Sequence, residues 1–242
     1  MTTAPKAALI VAHGQPSDPE PAEAEMAALA AKVQALMPEW RVVSATLATA
    51  GALADRVADL GPSGLVYPMF MAGGWFTRTH LPARLAEAGG TAWRILPPFG
   101  EDAAVQALTV TLAREATGDR DPAAVELILA AHGSFRSTAP SDIAFRMADR
   151  IRAEVGFKRV EAGFIDQSPQ IAEVAAYFAP GWIVLPFFAA RGGHVIDDLP
   201  EALDAAGFAG TVLPPVGLDL RVPGLIATAL EAANAAALGA GP

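Results

Sequence analysis

One stretch of this chain is written twice. Ala7-Ala-Leu-Ile-Val-Ala-His-Gly14 returns as Glu126-Leu-Ile-Leu-Ala-Ala-His-Gly133, about half the chain later. A second echo pairs Leu65–Trp75 with Ile183–His194, and a third pairs Ile95-Leu-Pro-Pro-Phe99 with Val212-Leu-Pro-Pro-Val216. Three landmarks kept in the same order mark a duplicated domain. The 242 residues then divide into two units, 1–119 and 120–242, each long enough to bury its own core. Between them lies Thr117-Gly-Asp-Arg-Asp-Pro122, a polar linker rich in turn formers.

Within each unit, strand signals alternate with helix signals. Strands are expected at Ala7–Ala12, Val42–Leu47, Gly64–Met71 and Trp93–Leu96, with helices over Pro21–Met37, Leu53–Leu60, His80–Ala88 and Asp102–Ala116. The second copy repeats the order. Its strands are Val125–Ala131, Arg159–Ile165, Trp182–Phe188 and Thr211–Leu213, and its helices Ser141–Val155, Pro169–Phe178, Asp198–Ala206 and Leu218–Ala236. The apolar runs of the strands are near-continuous, as in parallel strands buried on both faces. The fold class is therefore α/β: two tandem domains, each a doubly wound, mostly parallel four-stranded sheet flanked by helices. Ligands bind such sheets beyond the carboxyl ends of the strands.

Composition narrows the chemistry. The chain has no cysteine, so disulfides, thiolate metal sites and Cys nucleophiles are excluded. Net charge is −9, with three Lys and no basic cluster, which argues against nucleic acid as a partner. No apolar stretch reaches bilayer length and the first one lacks a leader's context, so no membrane partner and a cytoplasmic location are expected.

The candidate residues sit at the strand ends. His13 and His132 each follow a strand directly and precede Gly; His194 follows Gly192 and Gly193 just after the third strand of the second copy. Strands one and three of such a sheet are commonly neighbours, so His132 and His194 can face each other across one cleft. Neutral imidazole binds divalent first-row metals and also accepts protons. Asp166, at the end of the next strand, faces the same edge and has Ala48 as its counterpart. It can complete a metal site with the two histidines, accept ring protons, or cap the helix starting near Ser168. Gly133, Gly192 and Gly193 allow a flat ring to approach the backbone, or serve as ordinary tight turns. Matching the two Gly-Gly pairs sets Trp75 against His194, while Leu81-Pro82 against Leu199-Pro200 sets His80 against Asp198. Trp75 and Phe76 can offer a flat surface to a ring or pack in the core. Arg78, Arg136 and Arg191 lie in the same loops and suit carboxylates.

These motifs resemble the class II tetrapyrrole chelatases, the sirohydrochlorin cobaltochelatase and ferrochelatase group, in a tandem long form. The resemblance rests on Ala131-His-Gly-Ser134, Gly163-Phe-Ile-Asp166, and Leu185-Pro-Phe-Phe-Ala-Ala-Arg-Gly-Gly-His-Val195 followed by Asp198-Leu-Pro200, and it covers nearly the whole chain. It implies ATP-independent insertion of Co2+ or Fe2+, with Ni2+ also open, into a partly reduced polycarboxylate tetrapyrrole. That is a lyase step on the way to siroheme or cobalamin. It implies His132, His194 and Asp166 as the catalytic and metal-holding group. It implies His13, Trp75, Ser134, Arg136, Arg191, Gly192 and Gly193 on the substrate side. Asp166 stands where the family usually has Glu. The first copy, with Trp75 set against the second histidine, becomes a degenerate partner. The metal is then a substrate, no cofactor is tightly bound, and the chain acts as a monomer, with a dimer open. A non-catalytic tetrapyrrole or metal carrier derived from a chelatase is the competing reading. A histidine phosphatase is a third reading, disfavoured because Ala12 and Ala131 stand where it needs Arg.

Overall fold

The computed structural model describes residues 6–177 and 181–239. The first sheet contains β1 (Lys6–Ala12), β2 (Trp40–Thr46), β3 (Ser63–Pro68) and β4 (Ala92–Ile95), all parallel, in the order β2-β1-β3-β4. The second contains β5 (Glu126–Ala131), β6 (Arg159–Phe164), β7 (Ile183–Pro186) and β8 (Thr211–Val212), again all parallel, in the order β6-β5-β7-β8. In each sheet the strand order reverses between the first and third strands. Leu9 pairs with Val66 and Leu129 with Leu185 at those junctions. Loops leaving strands at such a point turn to opposite faces and leave a crevice at the carboxyl edge.

The apolar strand runs are buried on both sides, as their composition requires. Ala8–Val11 and Leu127–Ala130 are fully inaccessible. Helices α1 (Pro19–Leu36), α2 (Ala52–Leu60) and α3 (Leu81–Glu87) follow the first three strands, and α4 (Ala103–Glu115) follows β4. Likewise α5 (Ala139–Val155), α6 (Ile171–Ala175) and α7 (Leu199–Ala205) follow β5, β6 and β7, and α8 (Val222–Gly239) follows β8. On one face of the first sheet, Leu53 and Val57 of α2 and Leu81 and Leu85 of α3 pack on Ala7, Leu9, Val11 and Val66. The second sheet repeats this with Ile171 and Val174 of α6 and Leu199 and Leu203 of α7 on Ile128, Ala130 and Val184.

Two features depart from the sequence-based expectation. The helices expected to open at His80 and Asp198 are preceded by five-residue π-turns, Phe76–His80 and His194–Asp198, which lead directly into α3 and α7. The helix expected over Pro169–Phe178 is shorter, Ile171–Ala175, and Phe178 lies outside the described residues.

The last helix of each repeat packs with elements of the other repeat. One compact unit takes the described residues up to Phe99 together with those from Leu220 on; the other is Gly100–Asp219. Thus α4 packs with α5, and Arg114 donates to the Glu154 carbonyl oxygen at 3.0 Å. Helix α8 packs with α1 and β3 instead. Its Glu231 accepts from Trp40 Nε1 at 2.6 Å and pairs with Lys6 at 3.7 Å, and Arg94 donates to the carbonyl of Ala233. The sequence repeat and the packing unit therefore have different boundaries. An apolar helical stripe records that a sheet must be covered and does not record which sheet.

Val222, Ile226 and Leu230 of α8 are fully buried. Removing three such side chains forfeits about 5 kcal/mol or more, comparable with the whole stability of a domain. Ending the chain at Asp219 is expected to strip hydrogen-exchange protection from β1 and β3 while β5 and β7 keep theirs, as mass spectrometry of peptic fragments would show.

Candidate active site

β5 runs out at Ala131, and His132 is the next residue. The backbone there is held by β6: Ile165 N donates to the Ala131 carbonyl at 3.2 Å and Asp166 N to the His132 carbonyl at 2.9 Å. Gly133 then turns with φ +74°, in the left-handed region, and a Cβ on it would lie 2.6 Å from Gln167 Cγ. Only glycine fits. Gln167 Oε1 accepts from Ser134 N at 2.8 Å, and Ser134 Oγ accepts from Arg136 N at 3.1 Å. Strand, glycine and loop together fix where the His132 ring points.

His194 enters from the neighbouring strand, as the first residue of the π-turn whose closing bond runs from Leu199 N to the His194 carbonyl. Wide turns of this kind recur at functional sites. This one brings Asp198 Oδ2 to 2.6 Å from His194 Nδ1. The two imidazoles meet edge to face, with centroids 4.1 Å apart and planes at 84°. Their Nε2 atoms are 2.8 Å apart.

The partners of the far nitrogens assign the tautomers. His132 Nδ1 faces the Gly133 carbonyl at 2.9 Å, and a carbonyl can only accept, so that nitrogen carries the proton. His194 Nδ1 faces a carboxylate and carries its proton for the same reason. Both Nε2 atoms then present bare lone pairs to each other. Two lone pairs converging from two imidazoles are an arrangement that a divalent metal ion can occupy. A tetrahedral metal with Zn-like bonds to nitrogen of about 2.0–2.1 Å would spread the two Nε2 atoms to ~3.3 Å, a small opening for two side-chain rotations. The imidazoles are 39% and 44% exposed, so an ion can reach them from solvent.

Asp166 sits elsewhere than the sequence suggests. Its Oδ2 lies 3.4 Å from His132 Nδ1, on the side of the ring away from His194. It supports one imidazole and does not join the two Nε2 atoms as a third ligand. Among the described residues no three His, Asp or Glu side chains close around one point. Helix capping is not its role either, because the N-cap of α6 is Gln170, in a capping box with Glu173. Neither Gly192 nor Gly193 is left-handed, and Gly193 is helical at φ −50°. Arg136 and Arg191 are both exposed. Asp198 is the functional residue the sequence reading passed over. Its spacing of four from His194, at the start of a helix, was the available signal.

The first unit keeps the backbone and changes the side chains. Ala48 N donates to the His13 carbonyl at 2.9 Å, as Asp166 N does to His132, and His13 Nδ1 meets the Gly14 carbonyl at 2.7 Å. The π-turn Phe76–His80 matches His194–Asp198 residue for residue. Phe76, and not Trp75, therefore stands where His194 stands, and Trp75 matches Gly193. His80 matches Asp198, as Leu81-Pro82 against Leu199-Pro200 requires. The ring contact is preserved: His13 meets Phe76 edge to face, centroids 4.4 Å apart, planes at 83°. A phenyl ring has no lone pair, so Phe76 offers His13 no second nitrogen.

Comparison with known proteins fits this doubling. The model of the CbiX family matches residues 7–116 and again residues 126–233. The chain belongs to the CbiX family. Among solved structures, it is 47% identical to CbiX, described as the terminal enzyme for biosynthesis of siroheme in denitrifying bacteria. The TM-score is 0.87, over 94% of this chain and 99% of that one. SirB from Bacillus subtilis, solved with Fe3+, shares the fold at TM-score 0.75 and 15% identity, covering 97% of this chain and 98% of that one. A curated relative, the probable sirohydrochlorin cobaltochelatase of Halobacterium salinarum, is 31% identical over 98 residues. These make up 40% of this chain and 32% of the relative, so the match spans about a third of that protein.

Groups that orient a metal-ligating histidine from behind are worth about 10–100-fold in affinity. Asp198→Ala is accordingly expected to weaken Co2+ binding by that factor, read by calorimetric titration of the metal into the apoprotein.

Proposed function

We propose that this chain inserts a divalent metal, Co2+ or Fe2+, into sirohydrochlorin without ATP. One observation carries the reading: two imidazole nitrogens 2.8 Å apart, each with its other nitrogen committed to an acceptor. The likeness along nearly the full length to a structurally characterised CbiX supports it.

Insertion exchanges one M2+ for two protons, because the macrocycle gives up two N–H protons as its nitrogens take the metal. The histidine pair is balanced for that exchange. While it holds the ion, both Nε2 lone pairs are occupied. When the ion passes to the ring, both lone pairs become free, one for each proton released. A charge of 2+ leaves and two protons arrive, so the charge at the pair is unchanged. The imidazolium ions that result are flanked by carboxylates at their Nδ1 sides, Asp166 for His132 and Asp198 for His194. His132 and His194 thus act as metal carriers first and bases second. The two aspartates hold them in place and offset the charge.

Nothing in this donor set selects one metal. Imidazole suits Fe2+, Co2+ and Ni2+ alike, and availability decides among them. Among the described residues, no helix is long and apolar enough to cross a membrane.

The test is anaerobic incubation of purified protein with sirohydrochlorin and Co2+ or Fe2+, followed by visible absorption. The wild type is expected to exceed the spontaneous rate, and His132→Ala and His194→Ala each to lower the enzymatic rate by at least about 100-fold, the low end for a general base. Tight binding of the macrocycle with no turnover by the wild type would favour a carrier instead.

A further inference from the structure

The first unit has not simply lost its site. Three differences from the second unit, at and just before one turn, gather rings there: Trp75 for Gly193, Phe76 for His194 and His80 for Asp198. The backbone of the turn is unchanged. The rings are assembled on one another. His80 stacks on Trp75, centroids 4.7 Å apart and planes at 20°. Phe76 meets Trp75 at 5.1 Å, His80 at 5.8 Å and His13 at 4.4 Å. The contact with His13 is inherited; random decay of a metal site would not build the other three. Trp75 is nonetheless 60% exposed, an unusual position for an indole that could pack inward.

Charge differs between the two turns as well. The second unit's π-turn holds Asp197 and Asp198 and no basic residue besides its histidine, with Asp166 beside it. The first unit's π-turn holds Arg78 and no acid, and Ala48 replaces Asp166. The second unit's π-turn therefore suits a cation, and the first unit's suits something flat and negatively charged.

We infer that Trp75, Phe76, His80 and Arg78 form a binding site for a flat, polycarboxylate macrocycle that works without metal. Stacking on the Trp75–His80 pair supplies the apolar contact, and the exposed guanidinium of Arg78 meets a carboxylate. The identity of the macrocycle rests on the reaction proposed above; the site itself rests on the ring cluster and the reversal of charge. The two halves then divide the substrates between them. The second unit takes the ion and the first takes the ring.

The test uses the full chain and metal-free sirohydrochlorin in anaerobic equilibrium dialysis, with Co2+ affinity measured separately. Trp75→Ala and Arg78→Glu are each expected to weaken macrocycle binding by about tenfold or more and to leave Co2+ affinity within about twofold. His194→Ala is expected to do the reverse. Arg78 is exposed, so that variant keeps its fold even should Trp75→Ala not. Macrocycle affinity unchanged in both variants overturns the inference, and so does an equal loss of Co2+ affinity. The outcomes also separate the two readings. Insertion by the wild type with normal macrocycle binding in both variants removes the inference alone. Macrocycle binding that depends on Trp75, with no insertion by the wild type, removes the proposed reaction and leaves the site standing.

Discussion

Parallel pairing of the first and third strands of each sheet is the constraint on which the site depends. It sets the carboxyl end of β5 beside that of β7, so that a residue following one strand and a turn following the other share a few ångströms of space. The strands are apolar enough to be buried on both faces, which forces helices onto both sides and leaves only the strand ends open for chemistry. Polar function is thereby confined to loops of a few residues. In those loops the left-handed glycine after each histidine and the π-turn after each third strand do most of the positioning. Both devices are present in both halves. The backbone of the site was thus duplicated intact, and the halves differ in side chains alone.

That separation explains why the proposed grip on an ion falls to one half and not to the other. In the second unit, carbonyl and carboxylate acceptors hold the outer imidazole nitrogens, so the inner ones have only each other. In the first unit the same edge-to-face contact survives with a phenyl ring in one place. The packing term is similar and the lone pair is gone. A change of chemistry has cost almost nothing in shape.

Much of this was legible in the sequence. The duplicated strand-His-Gly landmarks, the α/β alternation and the His132/His194 pair all follow from apolar runs and residue spacing, and these are local quantities. The misplacement of Trp75 shows where such reading fails. Matching Gly73-Gly74 to Gly192-Gly193 shifts the register by one, whereas the unshifted register from Leu65 against Ile183 through Leu81 against Leu199 sets Phe76 on His194. The π-turn obeys that register because its hydrogen bonds fix its length, while glycines in an open loop fix nothing. Asp166 was placed at the correct edge, but which side of an imidazole a carboxylate reaches is a matter of a few ångströms that spacing does not encode. The exchanged last helices left no trace in the pattern, since α4 and α8 carry apolar stripes that would cover either sheet.

That exchange bears on how such a chain can change over time. A tandem duplicate with self-contained halves could lose the copy that no longer grips metal through one deletion at the linker. Here a cut at that point would leave either half without its closing helix and with a helix that has nothing to cover.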